Sequence, residues 1–213
     1  MKKIVALILV SALLLCVIPL GALTVSAETI TLNGVTLNYT LDAVNGGITI
    51  TDCDSSISGD VVIPSEIDGY PVVVIDDGAF LRCELMTSVT IPNTVKTIGV
   101  MAFYECKSLK TITIPSSLEY IDTNVFSSGA LEAVYITDLE AWCNIDFANC
   151  YSNPLFYAHN LYINDVLATD IVIPDSITAI KKMHFIIALR LNLLQFPIRL
   201  QVSAQTHSEV AAV

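Results

Sequence analysis

Histidine, cysteine and clustered carboxylates are the side chains that could do chemistry in this chain, and none forms a working set. His159, His184 and His207 are the only histidines, and two of them lie in a tail of different character. A nucleophile relay or a zinc enzyme therefore has little to build on. Asp52-Cys53-Asp54 followed by Gly59-Asp60 offers oxygen ligands of the kind calcium takes. The spacing of a calcium loop is missing, and the stretch reads as a turn of solvated carboxylates. Cys53, Cys83, Cys106, Cys143 and Cys150 follow the N-terminal apolar run. An odd number at scattered spacing is a poor disulfide framework, and the doubled close pairs of a zinc site are absent. The expectation is a protein without catalytic residues, metal or cofactor. Asn38-Tyr39-Thr40 fits a glycosylation acceptor, a weak signal.

Recognition remains. Val89-Thr90-Ile91-Pro92, Ile112-Thr113-Ile114-Pro115 and Ile171-Val172-Ile173-Pro174 read as copies of one short β-strand, with Val61-Val62-Ile63-Pro64 before them. Alternation sends Val89, Ile91, Ile112 and Ile114 inward and Thr90 and Thr113 outward. The proline that follows cannot donate to a ladder and ends the strand at a corner. The outward residues predict a binding face of Thr87, Ser88 and Thr90, then Lys110, Thr111 and Thr113, then Glu132 and Tyr135. Ala133, Thr169, Asp170 and Val172 share that register. Outward threonines also favour strands where nothing binds.

The elements that position this face follow a 23-residue beat: Ile75, Ile98 and Ile121 recur at that spacing, as do Phe80, Phe103 and Phe126. Ile91-Pro92 returns as Ile114-Pro115, and Cys83 as Cys106. A period in the twenties means a solenoid. The expected fold is mainly β, with one short parallel strand per coil, an irregular or short helical far side, and an N-terminal β cap over residues 28–60. Coils fill 61–182, stacking each phenylalanine on the next. Cys83 and Cys106 then line the interior as compact apolar groups, with a Cys83–Cys106 bridge as the alternative. Extra length falls at Glu66–Pro71 and, as an insertion, at about 138–165. Trp142, Tyr151, Phe156, Tyr157 and Tyr162 make that insertion a small aromatic cluster, or else a ligand lobe.

Ser108-Leu109-Lys110-Thr111-Ile112-Thr113-Ile114-Pro115 followed by Ile121 and Phe126, with Ala102-Phe103 leading to Cys106, resembles the BspA-type leucine-rich repeats of bacterial surface proteins. Asp138-Leu139-Glu140-Ala141-Trp142-Cys143 and Asn153–Asn160 are similar to strings found inside such arrays. The resemblance covers roughly Val61 to Lys181. It implies a leucine-rich-repeat solenoid at the bacterial cell exterior, with adhesion or binding of an extracellular protein or glycan as its role. Family members often carry longer arrays and wall-attachment modules, which this chain does not display.

Both ends differ from the middle. Lys2 and Lys3, the apolar run from Ile4 to Leu20 and the small residues Val25-Ser26-Ala27 predict a secretory signal over 1–27. No basic stop-transfer flank follows it, so no membrane insertion is expected after cleavage. Leu15 stands before Cys16, where a lipidation site needs a small residue. The net charge is −11, and Arg82, Lys96, Lys107 and Lys110 are the only basic residues between Glu28 and Ile180. Counterion release at a phosphate backbone needs clustered lysine and arginine, so nucleic acid is excluded as a partner.

After Lys181-Lys182 the repeat stops in mid-coil. Permitted codons for Lys181 onward, read two bases later, yield K-N-A-F-Y-N-C-T-S-L-K-S, a continuation of the repeat. A one-base slip in the adenine run of Lys181-Lys182 is therefore expected, leaving 183–213 out of frame and without a selected fold. The bland alternative is an apolar C-terminal helix.

Overall fold

A computed structural model describes residues 27–32, 34–42, 46–127, 130–169, 171–172 and 194–195. The signal over 1–27 and the tail over 183–213 thus fall, but for Ala27, Leu194 and Gln195, outside the described residues. So do Ile173–Ile180 of the last repeat copy.

Strands form where β-branched residues alternate with polar ones. β1 (Glu28–Leu32), β2 (Val35–Asp42) and β3 (Gly47–Cys53) make an antiparallel meander. β4 (Ser58–Val62) opens a second sheet, and β5 (Glu66–Ile67) forms a small antiparallel ribbon with β6 (Tyr70–Ile75). That ribbon takes up the extra length between the first two strand copies. β6 itself lies parallel to β3.

The chain then winds between the two sheets. β7 (Leu85–Thr90), β8 (Thr97–Ile98), β9 (Thr111–Thr113), β10 (Tyr120–Ile121) and β11 (Ala133–Ile136) alternate from one to the other. After β11 come α1 (Leu139–Asn144), β12 (Asp146–Phe147) and β13 (Asn160–Ile163). β14 (Val166–Leu167) turns back antiparallel on β13, and β15 (Ile171–Val172) pairs parallel with β16 (Leu194–Gln195). The sheet orders are β4-β7-β9-β11-β13-β14 and β1-β2-β3-β6-β8-β10-β12. The fold is the mainly β repeat solenoid read from the period, and it carries one addition. The far side of each coil holds a second short parallel strand, because Ile75, Ile98, Ile121 and then Phe147 pair in register across neighbouring coils.

Phe80, Phe103 and Phe126 form the spine of the core. All three are buried, with ring centroids 5.1 and 6.0 Å apart and planes within 17°. Their turns are tied by backbone bonds from one coil to the next: the N–H groups of Gly78, Phe80 and Arg82 donate to the carbonyls of Val100, Ala102 and Tyr104 at 2.8–2.9 Å. Met101, Phe103 and Glu105 donate in the same way to Thr123, Val125 and Ser127. These turns need left-handed backbone, at Gly78, Met101 and Asn124 and again at Arg82 and Glu105.

The stretch 138–165 is built into the array. Asp138 caps α1 by accepting from the Ala141 N–H at 2.9 Å. β12 and β13 then continue the two sheets, so the longer stretch still completes one coil. Trp142 is buried and meets Phe147 edge to face at 5.6 Å.

Candidate functional site

The face read from the sequence lies on the β4-β7-β9-β11-β13-β14 sheet. Val89, Ile112, Val134 and Leu161 point inward and are buried, which turns the intervening residues outward. One outward row runs Val62, Thr90, Thr113, Tyr135, Tyr162, Leu167. The next runs Asp60, Ser88, Thr111, Ala133, Asn160. Thr90, Thr113 and Tyr135 thus share the first row, and Ser88 and Thr111 the second. Ala133 falls in that second row but is covered, only 6% exposed.

Thr87 joins the face through an irregularity in the pairing. The β4–β7 register shifts between Gly59 and Asp60, so Thr87 has no partner residue on β4. A bulge of this kind re-aims a side chain. Thr87 Oγ1 and Ser88 Oγ both donate to Asp60 Oδ1, at 3.2 and 2.7 Å. Lys110 and Glu132 flank the rows and pair at 3.0 Å, while Asn160 Nδ2 donates to the Glu132 carbonyl at 3.1 Å.

The most defined feature is a pair of tyrosines. Tyr135 and Tyr162 stand on adjacent strands with ring centroids 4.7 Å apart and planes at 14°. Beside them lies a shelf of small hydroxyl side chains: Ser88, Thr90, Thr111 and Thr113. Exposed Val62 and Leu167 end the tyrosine row. Asp60, Asn160, Val62, Tyr162 and Leu167 are members of the face that the 23-residue beat does not reveal. For Tyr162 the Leu-Tyr-Ile alternation was the available signal, but the step from Tyr135 is 27 residues. Thr169 is exposed, whereas Asp170 and the Val172 side chain lie outside the described residues.

The insertion's aromatics part ways. Trp142 is core, Tyr162 belongs to the sheet face, and Tyr151, Phe156 and Tyr157 form a satellite cluster with edge-to-face contacts at 4.9 and 5.2 Å. Burial raises the Tyr157 hydroxyl above its ordinary value, and its oxygen is 3.0 Å from Ser127 Oγ.

Every lysine and arginine among the described residues is paired across coils. Arg82–Glu105, Lys107–Glu84, Lys96–Glu119 and Lys110–Glu132 lie at 2.8, 2.6, 3.5 and 3.0 Å. The charge left uncompensated on these coils is therefore acidic. Among the described residues no three or more histidines, cysteines or carboxylates are grouped to hold a metal ion. No helix among them is long and apolar enough to cross a membrane.

Comparison with known proteins finds a family match over part of this organisation. Residues 73–154 match the BspA type leucine rich repeat region, in six copies. Among solved structures, the chain is similar to a leucine-rich-repeat protein of T. pallidum, at 26% identity and a TM-score of 0.44, covering 70% of this chain and 63% of that one. It is also similar to a leucine-rich repeat protein from Bacteroides capillosus ATCC 29799, at 27% identity and a TM-score of 0.49, covering 63% of this chain and 97% of that one. A leucine rich cell surface protein from Faecalibacterium prausnitzii A2-165 is 22% identical with a TM-score of 0.38, over 72% of this chain and 50% of that one. This chain thus spans less than two thirds of the T. pallidum protein's length and half of the F. prausnitzii one. No curated protein matches it. Over residues 73–154 the chain is built of BspA-type leucine-rich repeats.

Proposed function

We propose that this protein is an exported, non-catalytic interaction module that binds an extracellular protein or glycan through the β4-β7-β9-β11-β13-β14 face. The observation that carries the reading is the continuous outward row from Val62 to Leu167, with the stacked Tyr135–Tyr162 pair rising beside a shelf of serine and threonine hydroxyls. Tyrosine supplies large contact area at little conformational cost, and the hydroxyls supply hydrogen bonds. Lys110 and Glu132 flank this platform and set its rim.

Arrays of glycans and extracellular-matrix proteins, probed with the purified protein, test the assignment. Binding to one array member that falls at least about tenfold in Tyr135→Ala and in Lys110→Ala, with unchanged circular dichroism, is the expected result. Retained binding in both variants removes the sheet face from the proposal.

The alternative is a scaffold fragment of a longer surface protein, with its activity elsewhere. The repeat-like reading that permitted codons allow after Lys181-Lys182 favours it. A high-accuracy nucleotide read across those codons decides: a one-base difference supports the fragment, and confirmation of the written frame removes it.

A further inference from the structure

The core of the first coils holds a row of sulfur atoms that the binding face does not use. Cys53 ends β3, Cys83 follows Phe80 in its turn, and Cys106 lies one coil further on; all three are buried. The row is uneven. Cys53 Sγ and Cys83 Sγ are 2.7 Å apart, while the Cys106 thiol donates to the Phe80 carbonyl oxygen at 3.1 Å. The first separation is shorter than the ~3.5 Å at which even carbon atoms pack and within about 0.7 Å of a covalent sulfur–sulfur bond. The coincidence of Cys83 and Cys106 on the repeat therefore does not decide which cysteine Cys83 meets.

We propose that Cys53 and Cys83 are joined by a disulfide, and that Cys106 remains a thiol. The bond links the last strand of the N-terminal meander to the first phenylalanine turn, 30 residues on. End coils of a repeat array have a neighbour on one side only and open most readily, so this is where a covalent tie restrains the structure most. The proposal rests on the export reading for the compartment alone, since exported chains meet conditions in which disulfides persist.

The oxidant is an external disulfide, either glutathione disulfide or the active-site disulfide of a thiol oxidoreductase. The thiolate of one cysteine attacks it, expelling one thiolate and forming a mixed disulfide. The thiolate of the other then attacks the protein sulfur of that intermediate and expels the second thiolate. The two cysteines together lose two protons and two electrons, and the oxidant gains both. In the folded protein the hydrogen bond to Cys83, and then burial, hold the Cys53 thiol well above its ordinary value, so thiolate is scarce. Oxidation accordingly belongs to the folding chain, before the meander closes over the pair.

The test refolds the full chain from denaturant in a buffer of reduced and oxidised glutathione. The refolded protein is then unfolded in mildly acidic denaturant, which suppresses disulfide exchange, its free thiols are alkylated there, and it is digested without reductant for mass mapping. The expected result is one linked peptide pair carrying Cys53 and Cys83, lighter than the reduced peptides by two hydrogens, with Cys106 alkylated. The linked protein should unfold at a higher urea concentration than the same protein reduced. Cys106→Ser should keep the link and Cys53→Ser should lose it. Alkylation of both Cys53 and Cys83 in protein that had refolded before it was denatured for labelling overturns the proposal, as does a link from Cys83 to Cys106. Mapping uses the unaltered sequence, so a variant that fails to fold does not blunt it. Protein made in an oxidising periplasm gives the same readout where refolding fails. Neither arm depends on natural export, which is tested separately by recovering the protein from outside the cells that encode it.

Discussion

At the scale of the residue, one recurring position can be held by different side chains at very different cost. Phe103 is the middle ring of the core stack and is completely buried. Truncating it removes contacts on both ring faces and leaves a cavity that rigid neighbouring coils cannot collapse. Phe103→Ala should cost about 3–5 kcal/mol in a urea titration, and an unchanged midpoint would contradict the stacked core. Met101 is the opposite case. It stands where the preceding coil has Gly78, with φ of 56° against 65°, and its side chain is exposed. Left-handed backbone costs a residue with a Cβ roughly 1–2 kcal/mol, partly offset by the freedom glycine gains on unfolding. Met101→Gly should therefore raise stability by up to about 1 kcal/mol, read by the same titration. The phenylalanines were legible because their spacing states their burial. The strain at Met101 was not, since φ depends on the turn geometry and nothing in a methionine signals it.

At the scale of the element, what matters is how closely one coil can sit on the next. Gly99 begins the turn after β8, and a Cβ there would lie 2.6 Å from the backbone nitrogen of Asp77 in the coil before. The Asp77 carboxylate accepts from the Val100 N–H at 2.7 Å, locking that approach. Gly99→Ala should lower stability by about 1–3 kcal/mol through backbone displacement, measured by thermal or urea unfolding. The same closeness explains the second strand of each coil. Once Ile75, Ile98 and Ile121 are stacked, their backbones are near enough to exchange ladder hydrogen bonds, although two residues are too short to announce a strand in sequence. The coil holding α1 was also hard to read. Its helix replaces the Ile-Pro corner, so the sequence period breaks where the sheets continue through β12 and β13.

At the scale of the whole molecule, the interior is a column of apolar side chains and thiols, and its exposed ion pairs bind coil to coil. Burial first, and nearby thiol or carboxylate groups second, push the Cys106 thiol up to about 12 and the Cys143 thiol up to about 11. Unfolding returns both to about 8.5. A raised folded value contributes stability that is complete below the unfolded value and is lost as pH climbs toward the folded one, because the unfolded chain releases its protons first. Under reducing conditions the urea midpoint should hold steady near neutrality and fall between about pH 8.5 and pH 11, while a midpoint rising over that range would contradict the buried thiols. The sequence alone determined the repeat, its period, the inward isoleucines and phenylalanines and the outward threonines. These follow from alternation along a strand and from one coil being unable to bury its own face. Only the tertiary structure decided that Cys83 meets Cys53 and that Tyr135 stacks on Tyr162. Such contacts depend on how the β4–β5–β6 corner and the α1 coil absorb their extra residues, and off-beat lengths place side chains side by side that no fixed spacing connects.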